Sequence, residues 1–295
     1  MKLGLIGVGN MGRNHLRVIR ENVSLEEDVV VYDPCLDSSI SYEEFLNKCK
    51  NLDGVSICSP SHTHVDIASD ILKKNSKIKL LIEKPIDTDP KKVKDLEAFK
   101  SQIMVGHIER FNPAVIALKK MIHTGLIRNI YSIRTRRNNN VTSREMSNIS
   151  KDLLVHDYDV CCYLSGKRSI SGTLLQQSTH NDGRIDYSEL CTKFEGFLAS
   201  CTANWFSPVK VRDLTCHTSQ GIVHLDYIKQ SLSMTDLQGN KNDLNEFVRK
   251  GEPLAAEINY FCAMINDNIE PLCNIDEALH ALSIVGGYNE NIHVV

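Results

Sequence analysis

The sequence predicts an α/β fold: an N-terminal parallel sheet with crossover helices, followed by a second α+β domain built on a mostly antiparallel open sheet. Three observations carry this. Short apolar runs alternate with amphipathic, helix-length segments through about residue 106, the rhythm of a parallel sheet. The chain opens with an apolar strand that runs straight into Gly7-x-Gly9-x-x-Gly12 and then a helical pattern. Between residues 169 and 236, strand-like segments follow one another with turns rather than helices between them, which is the mark of antiparallel pairing. At 295 residues there is material for two domains, and the change of rhythm places them at 1–107 and 108–295.

The elements follow in order. Strands are expected at 2–8, 28–32, 54–58, 77–82 and 102–106, with helices at 11–21, 41–50, 62–75 and 90–100 between them. Ser41-x-x-Glu44 reads as a capping box, and Asp89-Pro90 supplies an N-cap with proline at the first helical position. Beyond Gly106 come a helix at 112–123, a strand at 130–137 and a polar run at 138–148 that reads as a mobile loop. A helix at 151–165 precedes the strand-rich stretch, whose turns include Asn181-Asp-Gly183 and Gln238-Gly-Asn240, and helices at 253–267 and 275–285 close the chain.

Composition narrows the function. With 42% hydrophobic and 24% charged residues and a net charge of −3, a general nucleic-acid binder is disfavoured. No apolar run approaches the roughly 18 residues needed to cross a bilayer, so no membrane partner is expected. The ten cysteines form no C-x-x-C, and Cys58, Cys191, Cys201 and Cys262 sit in apolar segments as small hydrophobes. Reduced thiols and a cytoplasmic location follow. His62-x-His64 has no further ligands at a supporting spacing, so no metal is expected.

A strand feeding a glycine-rich turn and then a helix is the context of a dinucleotide site. Gly7 permits the tight turn, Gly9 admits a pyrophosphate, and Gly12 lets the helix pack close to the sheet. Asn10 and Met11 open that helix, whose unpaired N–H groups and positive dipole end suit phosphates. Asp33 ends the second strand about 20 residues past the last glycine, where a ribose-binding carboxylate belongs. Pro34 follows it, with no nearby arginine to welcome a 2′-phosphate, so NAD is expected over NADP. Ser59, Pro60 and His64 after the third strand, and Glu83, Lys84 and Pro85 after the fourth, lie at the strand ends where open sheets bind ligands. Both segments also read as a helix cap and a surface charge pair. Asp152 and His156, four apart, share one helix face; they suit binding and deprotonating a hydroxyl, or a helix-stabilising ion pair. Arg134 and Arg136 share one strand face with Arg137 opposite, and Lys210 and Arg212 share another. Either pair suits a diphosphate, or a solvated face or oligomer rim. Trp205, the only tryptophan, suits stacking on a ring or packing in a core.

Gly7-Val-Gly-Asn-Met-Gly-Arg-Asn-His15, Glu83-Lys84-Pro85, Gly106-His-Ile-Glu-Arg-Phe-Asn-Pro113 and Asp152-x-x-x-His156 resemble, in identity and order, the glucose–fructose oxidoreductase/inositol dehydrogenase/MocA family. Asn204-Trp-Phe-Ser-Pro-Val-Lys-Val-Arg212 with Asp226-Tyr-Ile-Lys-Gln230 is similar to a narrower branch that includes UDP-N-acetylglucosamine 3-dehydrogenases. The resemblance implies a Rossmann domain and a sheet domain that often forms oligomer contacts, hence a homodimer or homotetramer. It implies Lys84, Asp152 and His156 as catalytic residues at the nicotinamide, with His156 the acid/base, Lys84 orienting the hydroxyl and Asp152 positioning the substrate. The implied activity is NAD-dependent oxidation of a sugar hydroxyl to a ketone, at the 3-hydroxyl of a UDP-N-acetylhexosamine. Lys84, Asp152, His156, Arg136, Lys210 and Arg212 would bind that substrate. An inositol or free-sugar dehydrogenase and a non-catalytic NAD(P)-binding sensor are the alternatives; retention of Lys84, Asp152 and His156 together favours an enzyme. Two departures stand out. The asparagine-rich run 138–148 replaces the branch's glycine- and proline-containing loop, and the chain stops soon after Gly286-Gly287, short of a longer final helix.

Overall fold

The computed structural model describes residues 1–37, 39–139, 148–179 and 183–295, together with the backbone of residue 140. The 138–148 run and the Asn181-Asp-Gly183 turn therefore fall largely outside the described residues.

The chain begins with β1 (Leu3–Ile6), α1 (Asn10–Asn22), β2 (Val30–Tyr32), α2 (Tyr42–Lys48), β3 (Gly54–Ile57), α3 (His64–Lys74), β4 (Lys79–Glu83) and β5 (Ile103–Gly106). The strands form one parallel sheet in the order β2-β1-β3-β4-β5. All four residues of β1, β3 and β5 are buried, which is why these strands read as apolar runs rather than alternations. In α1 the buried residues are Gly12, His15, Val18 and Ile19, a stripe at helical spacing. Ser41 Oγ accepts from the Glu44 N–H at 3.2 Å, fulfilling the cap expected before α2. The helix expected at 90–100 is a 3₁₀ segment, Lys92–Phe99. Its two buried residues, Val93 and Leu96, are three apart and eclipse each other in a threefold turn.

The next elements are α4 (Pro113–His123), β6 (Ile130–Asn140), a π turn at Ser150–Leu154, and α5 (Val155–Ser165). Then come β7 (Ser171–Gln177), β8 (Tyr187–Phe194), β9 (Phe197–Asn204), β10 (Phe206–Thr218), β11 (Gly221–Asp226), β12 (Ser231–Asp236) and β13 (Lys241–Asp243). The chain closes with α6 (Pro253–Asn266), α7 (Ile275–Val285) and β14 (Ile292–Val294). A nine-stranded sheet runs β13-β12-β11-β10-β6-β9-β8-β7-β14. Only β6–β9 and β7–β14 pair in parallel, so the open, mostly antiparallel sheet expected from the sequence is present. Helices α4 and α5 cover one face over a core that includes Leu118, Ile133, Leu154, Tyr158, Leu190, Trp205 and Leu214. The other face carries exposed Tyr131 and Leu198.

The chain divides into two compact units, residues 1–108 with 252–280, and residues 109–251 with 281–295. The sequence boundary at 107/108 assigned α6 and all of α7 to the second domain; instead 252–280 returns to the first. A parallel sheet needs cover on both faces. Phe261 and Ile265 of α6 lie against Gly54 of β3, where an added Cβ would meet them at 2.8 and 2.7 Å. Nothing in the periodicity of α6 reveals which sheet it covers. Among the described residues no helix is long and apolar enough to cross a membrane, and all ten cysteines are free thiols. Cys191, read from the sequence as buried, is exposed because it points to the uncovered side of β8.

Candidate active site

In the first unit, the turn after β1 shows why each glycine is there. Gly7 has φ +84°, and a Cβ on it would strike the Cys58 carbonyl at 2.7 Å. A Cβ on Gly12 would come within 1.8 Å of the Gly7 oxygen. A Cβ on Gly9 would meet nothing within 4 Å. The fold itself therefore does not require glycine at position 9. That open cradle at the start of α1, beside the first amide groups of Asn10, Met11 and Gly12, fits a pyrophosphate. The Asp33 carboxylate accepts from the Val8 N–H at 2.6 Å and the Cys35 N–H at 2.8 Å. These bonds fix the carboxylate at the rim of the glycine turn, and each oxygen keeps a further lone pair for a ribose hydroxyl. Arg13, which sequence reasoning passed over, donates from Nε to the Val8 carbonyl at 3.0 Å and adds a cation to the same rim.

The ends of β3 and β4 meet through His64. Its Nδ1 lies 3.0 Å from the Pro85 oxygen and its Nε2 2.8 Å from the Ser59 oxygen. Burial pushes its pKa down, while the two carbonyls oppose that shift. The ring joins the two loops, so its contribution to a cofactor site is to hold Ser59, Pro60 and the Glu83-Lys84-Pro85 turn. Ser59 Oγ pairs with Thr63 Oγ1 at 2.8 Å, and Thr63 Oγ1 donates to the Pro60 oxygen at 2.7 Å. The Lys84–Pro85 peptide is cis, and Lys84 is half-buried. Glu83 is buried and its Oε1 pairs with His15 Nε2 at 2.8 Å. Burial raises the Glu83 pKa, but His15, Lys84 and His64 bring it below its ordinary value. His15 is correspondingly high: burial lowers it, and Cys58 and Glu83 more than reverse that.

In the second unit, Asp152 lies in the π turn and His156 in the first turn of α5. The helix pattern read continuously from 151; the structure opens with a wider turn, a distortion common at functional positions. His156 is buried to 8% exposure. Its neighbours hold the helix rigidly. Arg137 of β6 donates from Nε and Nη2 to Asp157 at 2.9 and 3.0 Å, and from Nη1 to Glu109 at 2.8 Å. Arg110 grips Asp159 at 2.9 and 2.6 Å. Asn112 caps α4 by accepting from the Ala114 N–H at 3.1 Å. The Glu-Arg-Phe-Asn-Pro motif thus supplies anchors for α4 and α5, a role the sequence did not disclose. Tyr158, an alternative proton acceptor by position, bonds Ser169 Oγ at 2.6 Å and burial drives its pKa far up; it is a core residue.

The basic pairs separate. Arg212 registers against Arg137, and Asp213 against Arg136, so Arg136 and Arg212 project from opposite sides of the sheet. Arg136 lies on the side away from α5, exposed and ion-paired with Asp213, so the structure does not bring it together with His156. Arg212 faces α5: burial raises the Asp157 pKa, and Arg137 and, more weakly, Arg212 oppose that shift; Lys210 is exposed nearby on the same strand. Trp205 is buried in the core at 3% exposure, with the Arg184 guanidinium 5.9 Å from its ring, so packing is its observed role.

By sheet order and turn chemistry the first unit defines a dinucleotide-binding protein. Residues 1–105 match the Gfo/Idh/MocA model, described as an oxidoreductase family with an NAD-binding Rossmann fold. An inositol 2-dehydrogenase of Rhizobium meliloti is 27% identical over 59% of this chain and 57% of its own. The rhizopine catabolism protein MocA of the same species is 34% identical over 45% of each. Matches to these curated relatives thus span about half their length. A UDP-N-acetylglucosamine 3-dehydrogenase of Acidithiobacillus ferrooxidans is 22% identical over 93% of this chain and 91% of its own. A solved structure of that name and organism superposes with a TM-score of 0.86 at 20% identity, covering 99% of this chain and 97% of that one. Residues 1–105 thus match the NAD-binding Rossmann domain of the Gfo/Idh/MocA oxidoreductases, and the whole chain shares the fold of the Acidithiobacillus structure.

Proposed function

We propose that the protein oxidises the 3-hydroxyl of a UDP-N-acetylhexosamine to a ketone, using NAD. The observation that carries the reading is that one chain holds both a glycine turn open at Gly9 and, in its other unit, an anchored helix bearing Asp152 and His156. NAD, when bound, accepts the hydride. Lys84 orients the reacting hydroxyl and, as a cation, stabilises negative charge developing on its oxygen. His156 takes the hydroxyl proton, and Asp152 holds the neighbouring part of the sugar. Lys210 and Arg212 offer cations to the diphosphate. Asp33 repels a 2′-phosphate and favours NAD over NADP. Whole-length likeness to the Acidithiobacillus enzyme supports the nucleotide sugar. The exposed apolar residues on the uncovered sheet face support a homo-oligomer, and the free cysteines support a reducing, cytoplasmic setting.

The second reading, an inositol or free-sugar dehydrogenase, is favoured by the inositol 2-dehydrogenase likeness. Reduced-cofactor absorbance separates the two. UDP-N-acetylglucosamine, free N-acetylglucosamine and myo-inositol are compared at matched concentrations with NAD and with NADP. The nucleotide sugar with NAD should turn over fastest, since remote binding energy at the diphosphate raises turnover as well as affinity. Equal oxidation of a free polyol moves the assignment to the second reading. No oxidation of any leaves a nucleotide-binding sensor.

A further inference from the structure

Beneath the Lys84 turn, the first unit buries a cluster of ionisable groups that cofactor contact does not explain. Glu83 is its hub. Its Oε1 meets His15 at 2.8 Å, and its Oε2 accepts the backbone N–H of Lys84 at 3.2 Å. The other His15 nitrogen, Nδ1, meets Ser56 Oγ at 2.8 Å. With 0% exposure and both nitrogens engaged, the His15 ring is held in one orientation. Glu257 of α6 is equally buried, and neither carboxyl oxygen has a hydrogen-bond partner among the described residues. It faces Glu83 across Gly106, where an added Cβ would lie 3.1 Å from Glu257 Oε1 and 3.3 Å from Glu83 Oε1.

Such a cluster is costly. A buried ion pair is frequently no better than apolar residues of the same size, and an unpaired buried acid is worse. Simple packing of α6 on α1 would be served by leucine at 257. The charge arrangement is also specific: His15 from α1, Lys84 just after β4 and His64 from α3 surround the Glu83 carboxylate, with Glu257 from α6 as a second acid.

We propose that His15 and Glu257 are positioning residues for Lys84, acting through Glu83: His15 fixes the carboxylate that holds the Lys84 amide, and a neutral Glu257 lets that carboxylate stay in place. This rests on the reading of Lys84 as the residue that orients the substrate hydroxyl. Ionising Glu257 would set a second negative charge beside Glu83, compete for His15 and loosen the hold on Lys84. Burial and the Glu83 charge push Glu257 up to about 8, so this loosening falls in the mildly alkaline range.

The test uses the full-length protein with NAD and UDP-N-acetylglucosamine, comparing wild type, His15→Leu, His15→Gln and Glu257→Gln between pH 6 and 10. His15→Leu should lower kcat by about tenfold to a hundredfold, the scale of a slightly misplaced reacting group, with NAD affinity by calorimetry within twofold. His15→Gln, which keeps a donor toward Glu83, should recover part of the loss. Glu257→Gln should match wild type near pH 7 and lack its fall in kcat above pH 8. A Glu257→Gln profile superimposable on wild type overturns the proposal, as does a His15→Leu loss shared equally by NAD affinity. If His15→Leu does not fold, the Glu257→Gln profile decides. If no substrate turns over, the functional reading has failed by itself, and ¹⁵N NMR of the His15 ring decides for the relay. A ring still cationic at pH 8 supports it, and a neutral ring at pH 7 overturns it.

Discussion

Two side chains carry the residue-scale expectations. His156→Ala should lower turnover by about a hundredfold or more through loss of the proton acceptor, with NAD affinity unchanged; near-normal turnover would place the acceptor elsewhere. Glu257 governs stability as well as alignment. Its folded pKa, about 8, stands above that of an unfolded glutamate, so the folded state binds the extra proton. Its contribution is therefore fully present below the unfolded value and is lost as pH rises toward 8, at about 1.4 kcal/mol per pH unit at the steepest. Glu257→Gln removes that slope. Urea denaturation at pH 5, 7 and 9 should show the variant gaining on wild type from the first to the last, and parallel curves would exclude a protonated Glu257. Lys84, Asp152 and His156 stood out in the sequence because they sit at motif ends. Glu257 did not, since its burial depends on a chain return that brings α6 against β4 and α1, and local pattern holds no trace of a partner so distant.

At the scale of elements, the β1–turn–α1 segment separates a ligand's demand for glycine from the fold's. Gly9→Ala should leave the melting temperature within a degree or two of wild type and weaken NAD binding at least tenfold, because the new methyl enters only the cradle. Gly12→Ala should prevent stable folding, since its methyl would collide with the Gly7 carbonyl. Thermal melts and calorimetry distinguish them, and equal behaviour of the two would mean that Gly9 serves packing. This element was readable because spacing, turn and following helix are all local. The β6–β10 pair was readable only halfway. Alternation put Arg137 opposite Arg134 and Arg136, as observed, but which side faces α5 depends on where the helix packs. The side-on grip of Arg137 on Asp157 decides that, and it makes Arg212 rather than Arg136 the cation near His156. Arg137→Leu should cost about 3–5 kcal/mol by leaving Asp157 and Glu109 as buried unpaired charges, measurable as a fall in the urea midpoint.

For the whole molecule, sheet class and element order followed from rhythm, while the division into units did not, because helix patterns do not name their sheets. The return of residues 252–280 to the first unit has an immediate test. A chain ending at Gly251 lacks α6, which packs against Gly54 of β3, and should neither melt cooperatively nor bind NAD, although it keeps eight of the nine strands of the second sheet. A cooperative melt with intact NAD affinity would show that α6 is dispensable. The same return also sets a timetable. A ribosome adds roughly 5–20 residues per second, so about 7–30 s of synthesis separates the end of the Rossmann strands from the helix that closes over them. Throughout that interval eight of the nine strands of the later-made sheet come from one continuous stretch, whereas the earlier-made sheet waits with one side bare. The domain begun first cannot close until most of the second has been made.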